Sequence, residues 1–360
     1  MESIRADRLR KAKWGIFTHY LGGKNGTMDA FRSKGQPLLP WDQTVGCFDV
    51  ERYAKMAHEI GAGYVFFTVM QGFQYLCAPN ETYERISGLP RGEATTHRDL
   101  PYELGKALEK YGIDLYLYYT GDGPYASPKV GEKFGYVDRS KGVTADFVNQ
   151  WVSVLREYAV RYGDLVKGWW IDGCYDYINY TDELLKPYKD AVLAGNPNAV
   201  IAFNGGVERV DYMNPKYDAL CGGETNPMKR IARLYQLMEN GDAAGVAAYA
   251  EAPSSNQIKW SVHDDYIAGE ANKFEEYPPI DGMVDGAPWH KLSFLGIPTS
   301  GVAAWASPGS KYSAKYMREY IEKCSARGGA VSVDVCTFRD GSIDCGQYEV
   351  LRAMGYGKKA

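Results

Sequence analysis

Short apolar runs alternate along this chain with longer segments of helical spacing, and most of the runs stop at a polar residue followed by glycine. Lys13 to Tyr20 is the first such run, a β-prone segment ending in a polar pair ahead of Gly22-Gly23. Phe48 to Ile60 has helical spacing, with Val50, Tyr53, Ala54 and Ala57 on one side, and Gly61-Ala62-Gly63 stops it. Tyr64 to Val69 is then nearly all apolar, as a strand buried on both faces of a parallel sheet must be, and it opens onto Met70-Gln71-Gly72-Phe73. The same order recurs in a helix from Leu100 to Tyr111, a strand from Ile113 to Thr120, and a helix from Thr144 to Tyr162. A strand from Val166 to Asp172, a helix from Thr181 to Ala194 and a strand from Ala199 to Phe203 follow. Five strand–helix units by residue 206 predict a parallel α/β architecture.

Beyond that point the pattern loosens. Asp218 to Gly223 reads as a short sixth strand, Pro227 to Glu251 as one or two helices, and residues 252–290 as a long polar connection of the kind that forms a lid or a binding wall. Strands return at His290 to Gly296, Gly301 to Ala306 and Gly329 to Val335, with a helix from Ser313 to Arg327 between the last two. The whole predicts a (β/α)8 TIM-type barrel, possibly irregular. It is expected to be a single catalytic domain over residues 1–360 with a long loop and helical insertion at about 207–290.

In such a barrel the C-terminal ends of the strands form the mouth, so a side chain at a strand exit is placed for chemistry. Val166-Lys-Gly-Trp-Trp-Ile-Asp172-Gly is an apolar strand that ends on a carboxylate, which makes Asp172 the first candidate. The competing reading is a plain Asp-Gly turn. Trp170 shares the parity, and hence the strand face, of Asp172. Tyr118 and Tyr119 alternate, so only one can face the mouth, and Tyr119 is the one chosen.

Composition narrows the chemistry. The chain holds 29 tyrosines and 8 tryptophans, flat amphipathic surfaces suited to a polar, ring-shaped ligand. Its net charge of −4 gives no sign of a nucleic acid or membrane-surface partner. Seven cysteines without a CxxC pair argue against a disulfide framework or a zinc site, and the charged start without an apolar run leads to the expectation of a cytoplasmic protein, unless a signal peptide has been removed. The five histidines form no HxH or HExxH pair, and neither a glycine-rich phosphate loop nor a GxSxG elbow occurs, so neither metal nor cofactor is expected. Carboxylates, aromatics, one histidine and amides remain at the strand exits. That inventory suits glycoside hydrolysis, in which one carboxylate attacks or activates water while a second carboxyl group gives a proton to the leaving oxygen.

The segments Lys13 to Tyr20, Gly61 to Phe73, Asp99 to Thr120, Lys167 to Gly173 and Arg327 to Ile343 together resemble the α-L-fucosidase family of glycoside hydrolases, family 29. The resemblance implies a barrel enzyme that hydrolyses with retention, with His19 touching the sugar and Asp172 as nucleophile beside Trp170. It implies an acid in Asp265-Tyr-Ile-Ala-Gly-Glu270, upstream of Trp289-His290, hence Glu270. Glu224 is the rival because its spacing from Asp172 is closer to the family's. Trp289 is either a stacking platform or a loop anchor. Two departures bear on the sugar: Met70-Gln71-Gly72-Phe73 stands where the family has His-His-Asp-Gly-Phe, which leaves Gln71 as the polar contact, and Asn204-Gly205-Gly206 stands where it has an arginine. A single domain without the family's C-terminal β-sandwich is expected. Such changes alter specificity before they abolish chemistry. The expectation is a retaining exo-glycoside hydrolase acting on an α-linked deoxy- or related sugar of a carbohydrate substrate, with Asp172 and Glu270 catalytic and His19, Gln71, Tyr119, Trp170, Glu224 and Trp289 at the substrate. The alternatives are a non-catalytic carbohydrate-binding protein on the same barrel and a transglycosylase.

Overall fold

Seven of the apolar runs form parallel strands, because Val, Ile and aromatic side chains fill both faces of a pleated sheet covered on each side. They are β1 (Trp14–Thr18), β2 (Tyr64–Thr68), β3 (Asp114–Thr120), β4 (Val166–Asp172), β5 (Val200–Phe203), β6 (His290–Phe294) and β7 (Ala330–Asp334). The computed structural model describes residues 3–23, 35–136, 141–207, 215–225, parts of 229–245, 256–298 and 303–357. The strands curl in the order β5-β4-β3-β2-β1-β7-β6. Phe17, Phe66, Tyr116, Tyr118, Trp170, Ala202 and Leu292 point into the enclosed side, while Ile16, Phe67, Leu117, Tyr119, Trp169, Ile171 and Phe203 point outward, under the helices. This alternation is the period-two rule of a strand applied to a curled sheet.

The helices of nine or more residues among the described residues are α1 (Ser3–Ala12), α2 (Val50–Ile60), α3 (Leu100–Glu109), α4 (Ala145–Tyr162), α5 (Asp182–Gly195), α6 (Ala314–Ala326) and α7 (Cys345–Ala353). Their starts follow capping chemistry: Asp49, Asp99, Thr144 and Ser313 each accept a backbone N–H from the first turn of the helix that follows. The α1 helix sits at the N-terminal end of the strands, sending Ala6 and Leu9 into the interior cluster while the Arg8 guanidinium grips both oxygens of Asp114 at the start of β3. That end is therefore sealed, and the opposite end is the mouth.

Two expected strands differ from the structure. Residues 218–223, read as the sixth strand, form a turn after the short 3-10 helix Pro215–Tyr217. Of the run read as a strand from Gly301 to Ala306, residues 301–302 lie outside the described set and 303–306 are an irregular turn, with Ala306 at φ 50°. About half of the helical stretch expected over 227–251 lies outside the described residues, and residues 229–230, 233–234, 236–237 and 243–245 among the rest are helical.

The gap between β5 and β6 is bridged by the irregular segment 264–271. Its backbone N–H of Asp265 donates to Ile201 O (2.9 Å), that of Ile267 to Pro288 O (3.1 Å) and that of Ala271 to Leu292 O (2.8 Å), while Leu292 N–H donates to Gly269 O (2.9 Å). The edge of β5 is completed by side chains: Phe203 N–H donates to Asp264 Oδ1 (2.8 Å) and Ile201 N–H to Asp265 Oδ2 (3.0 Å). A stretch placed by its polarity in a long connection thus occupies the sixth position of the wall. Among the described residues no helix is long and apolar enough to cross a membrane.

Candidate functional site

A cavity at the mouth is lined by Phe17, His19, Gln71, Tyr118, Trp170, Asp172, Glu270, Leu292 and Trp305. Five of the eight residues named from the sequence meet here: Asp172, Glu270, His19, Gln71 and Trp170. Asp172 ends β4, and Gly173 lets the chain turn away at once with φ 69°. A Cβ at Gly173 would stand 2.6 Å from the Asp122 carboxylate, so no other residue fits without displacing it.

Asp172 is held by neutral donors on both oxygens. The Tyr118 hydroxyl donates to Oδ2 (2.6 Å), with the Gln71 amide further off at 3.3 Å, and the Asn204 amide nitrogen donates to Oδ1 (2.8 Å). Burial, then the Asp172 charge, raises the Tyr118 phenol well above its ordinary pKa, so it remains a proton donor.

The same Asn204 nitrogen donates to Glu270 Oε2 (2.6 Å). The Asp172 and Glu270 oxygens are therefore separated by no more than about 5.4 Å, the sum of the two bonds. With the two hydrogens of a planar amide about 120° apart, the separation is about 4.7 Å. Glu270 reaches this point because Gly269 takes φ 66° and lies against β6, where a Cβ would come within 1.8 Å of His290 O. Asn204 itself follows β5, with its N–H donating to Ile171 O (2.7 Å) and its Oδ1 accepting from Gly206 N–H (3.2 Å). The last bond settles which end of the amide is oxygen and turns the NH2 group to the two acids.

His19, after β1, has Nδ1 2.7 Å from Asp334 Oδ1, and Asp334 Oδ2 accepts Ala306 N–H (2.6 Å). A carboxylate only accepts, so Nδ1 carries a proton, and Nε2 is the ring nitrogen left without this partner. Trp305 lies 5.5 Å from the His19 ring and Tyr118 stacks on Trp170 at 5.4 Å.

Three residues named from the sequence lie elsewhere. Tyr119 points outward, stacks on Trp151 at 5.2 Å and donates to Trp151 O (3.3 Å); the partner facing the mouth is Tyr118. The β3–β4 register pairs Tyr118 with Trp170 and Tyr119 with Ile171, and paired residues share a face. Trp289 is 1 % exposed in the outer core at the N-terminal end of β6, remote from the mouth, so it is an anchor and not a platform. Glu224 follows the turn at 218–223, beside Lys229 (3.5 Å) and bonded to Thr225 N–H, and does not line the cavity. Met70 is fully buried in the outer core, so of the Met70-Gln71 pair only Gln71 reaches the cavity.

Sequence reading missed Tyr118, Asn204, Asp334 and Trp305. Asn204 and Asp334 carry the same signal as Asp172, a polar residue at the end of an apolar run. Trp305 carries none, since the run around it forms no strand. Among the described residues no group of three or more His, Cys, Asp or Glu side chains is placed to hold a metal.

The sequence model of the α-L-fucosidase family matches residues 41–357. Among solved structures, a bacterial fucosidase with a monovalent iminocyclitol inhibitor superposes with a TM-score of 0.57 at 16 % identity, over 98 % of this chain and 73 % of that one. An α-L-fucosidase of family 29 from Bacteroides thetaiotaomicron gives 0.56 at 16 % identity, over 98 % and 72 %. An endo-fucoidan hydrolase of glycoside hydrolase family 107 gives 0.63 at 14 % identity over 97 % of this chain, which spans about half, 53 %, of that one. At such identities the structural likeness is one of fold. No curated protein matches the sequence.

Proposed function

The chain belongs to the α-L-fucosidase family of glycoside hydrolases, and from that premise we propose that it is a retaining exo-glycosidase cleaving an α-linked deoxy- or related sugar from a carbohydrate substrate. Asp172 attacks the anomeric carbon. Glu270 gives its proton to the departing oxygen, which leaves a glycosyl ester on Asp172 and the charge on Glu270. Water then loses a proton to Glu270 and delivers its oxygen to the anomeric carbon, which frees Asp172.

The observation that carries this reading is the single amide nitrogen of Asn204 within hydrogen-bond reach of both acids. It limits their oxygens to a spacing compatible with the ~5 to 5.5 Å of retaining enzymes and too short for the ~6.5 to 9.5 Å that leaves room for an inverting water. His19 supplies a hydrogen-bonding partner for a sugar hydroxyl through Nε2. Phe17, Trp170, Leu292 and Trp305 supply the apolar wall against which the carbon face of a deoxy sugar packs. The wall residues come from three strands, β1, β4 and β6, and from the irregular turn at 303–306, so the sugar would be enclosed on several sides, which suits a terminal unit.

The test is incubation with a panel of aryl α- and β-glycosides, followed by a 2-fluoro glycosyl fluoride of the sugar that turns over. Release of the phenol by the wild-type protein but not by Asp172→Asn, and a covalent label on the peptide carrying Asp172, are the expected results. A label on another carboxylate would overturn the assignment. Release of oligosaccharides, and not of a monosaccharide, from a polymer would show internal cleavage.

A further inference from the structure

We propose that Asn204 is a positioning residue shared by both half-reactions: the two hydrogens of one neutral amide hold Asp172 and Glu270 at working distance while the negative charge passes from one to the other. The inference rests on the hydrolase reading above and adds what keeps two acids together in a cavity where, among the described lining residues, there is no Lys or Arg.

Two ionised carboxylates at this distance repel, so a pair of this kind carries one charge between them. Before the first step that charge is on Asp172 and the proton is on Glu270. After it, Asp172 is an ester, whose carbonyl oxygen still accepts a hydrogen bond, and Glu270 is the anion. Asn204 donates to Asp172 Oδ1 at 2.8 Å and to Glu270 Oε2 at 2.6 Å, so it serves the charge in either place without moving. It is able to do so because the rest of the residue is pinned: Oδ1 accepts Gly206 N–H, the backbone N–H donates to Ile171 O, and the carbonyl accepts Cys174 N–H (3.1 Å). A full positive charge at this point would hold whichever acid is ionised, but would oppose return of the proton to Glu270. A neutral amide favours neither state. The residue is also the join between β5 and the irregular segment 264–271, so the bond to Glu270 ties the acid on that segment to the strand framework that fixes Asp172.

The inference separates Asn204 from a residue that assists one acid alone. Loss of Glu270 spares the first step when the leaving group needs no proton, so Glu270→Ala should act well on a dinitrophenyl glycoside in that step and regain turnover with azide. In Asn204→Ala, kcat should fall about 10- to 100-fold, the loss expected for a hydrogen bond to a charged group. The loss should be equal for nitrophenyl and methoxyphenyl leaving groups and should not be restored by azide, with KM within about threefold of wild type. Asn204→Ser, which keeps one donor of smaller reach, should show the same pattern if the alanine variant folds poorly. A kcat at the wild-type value, a loss that the dinitrophenyl substrate abolishes, or a loss confined to KM would overturn the inference. A crystal structure of either variant decides it without turnover: the Asp172 and Glu270 carboxyl groups should part, and an unchanged separation would overturn the shared-clamp role. A wild-type protein inert towards every glycoside overturns the hydrolase reading and leaves this structural readout in force.

Discussion

The Asp172 carboxylate is useful because of what surrounds it: a phenol, an amide and a second amide aim donors at it, and none of them is charged. Donors placed in advance cost no reorganisation when charge shifts during reaction. With Asp172 as the proposed nucleophile, Asp172→Asn should lower kcat by at least about 10³-fold on aryl glycosides, since the remaining groups would bind but could not form the ester. Tyr118→Phe keeps the ring stacked on Trp170 and deletes one hydrogen bond to the carboxylate. It should cost about 1.5 to 3 kcal/mol of transition-state stabilisation, read as a fall in kcat/KM. Tyr119→Phe acts on the opposite face of the strand, where the hydroxyl donates to Trp151 O at a long 3.3 Å. Its kinetics should match the wild type, and the paired comparison tests the strand-face assignment.

At the scale of the element, the segment 264–271 decides where Glu270 stands. It does not form a regular strand: two aspartates cap the N–H groups of β5, and a glycine at positive φ turns Glu270 into the cavity. Asp264 carries most of this, accepting from Phe203, Trp260 and Ser261 N–H groups, each at 2.8 Å. Burial pushes its carboxyl up to about 7, against those three bonds, so the donors are what makes the buried group tolerable. Asp264→Ala would leave three N–H groups without this acceptor and should cost at least about 3 kcal/mol, measured as a lower Cm in urea. Gly269→Ala would both strain φ and collide with His290 O. It should reduce kcat more than it reduces stability if the segment yields by moving Glu270, and the ratio of the two losses measures how firmly the segment is held.

For the molecule as a whole, a histidine buried in the barrel interior makes one contribution to stability that is lost in acid. His290 is fully buried between Ala268 O (2.9 Å from Nδ1) and the Ser332 hydroxyl (2.7 Å from Nε2), and burial lowers its pKa to about 4. The folded state thus resists protonation at a site that an unfolded chain protonates near pH 6.5. The contribution is complete above about pH 6.5, shrinks as the pH falls, and is lost by about pH 4, a change of roughly 3 kcal/mol. His290→Gln should flatten the dependence of unfolding free energy on pH between 6.5 and 4. An unaltered slope in that window would show that other groups set it.

How much of this was legible beforehand depends on range. Strands β1 to β5 and the helices between them were readable because apolar period, caps and terminating glycines are local, and Asp172 was readable because its strand ends on it. Residues 264–271 were not, because the bonds that make them part of the wall run to β5 and β6, and an irregular segment has no period. Tyr118 and Tyr119 are equivalent in sequence, and only the register against β4 separates them. Asn204 could be seen as a polar strand exit, but its meeting with two acids far apart in sequence could not. The sequence by itself thus determined the alternating architecture, the family resemblance and the stock of acids, aromatics and amides at strand ends, since these depend on neighbours in the chain. Only the tertiary structure decided which strand faces look inward, what closes the wall between β5 and β6, and which glutamate stands beside Asp172. Those follow from contacts between distant residues, whose geometry is set when the sheet curls and each strand finds its register.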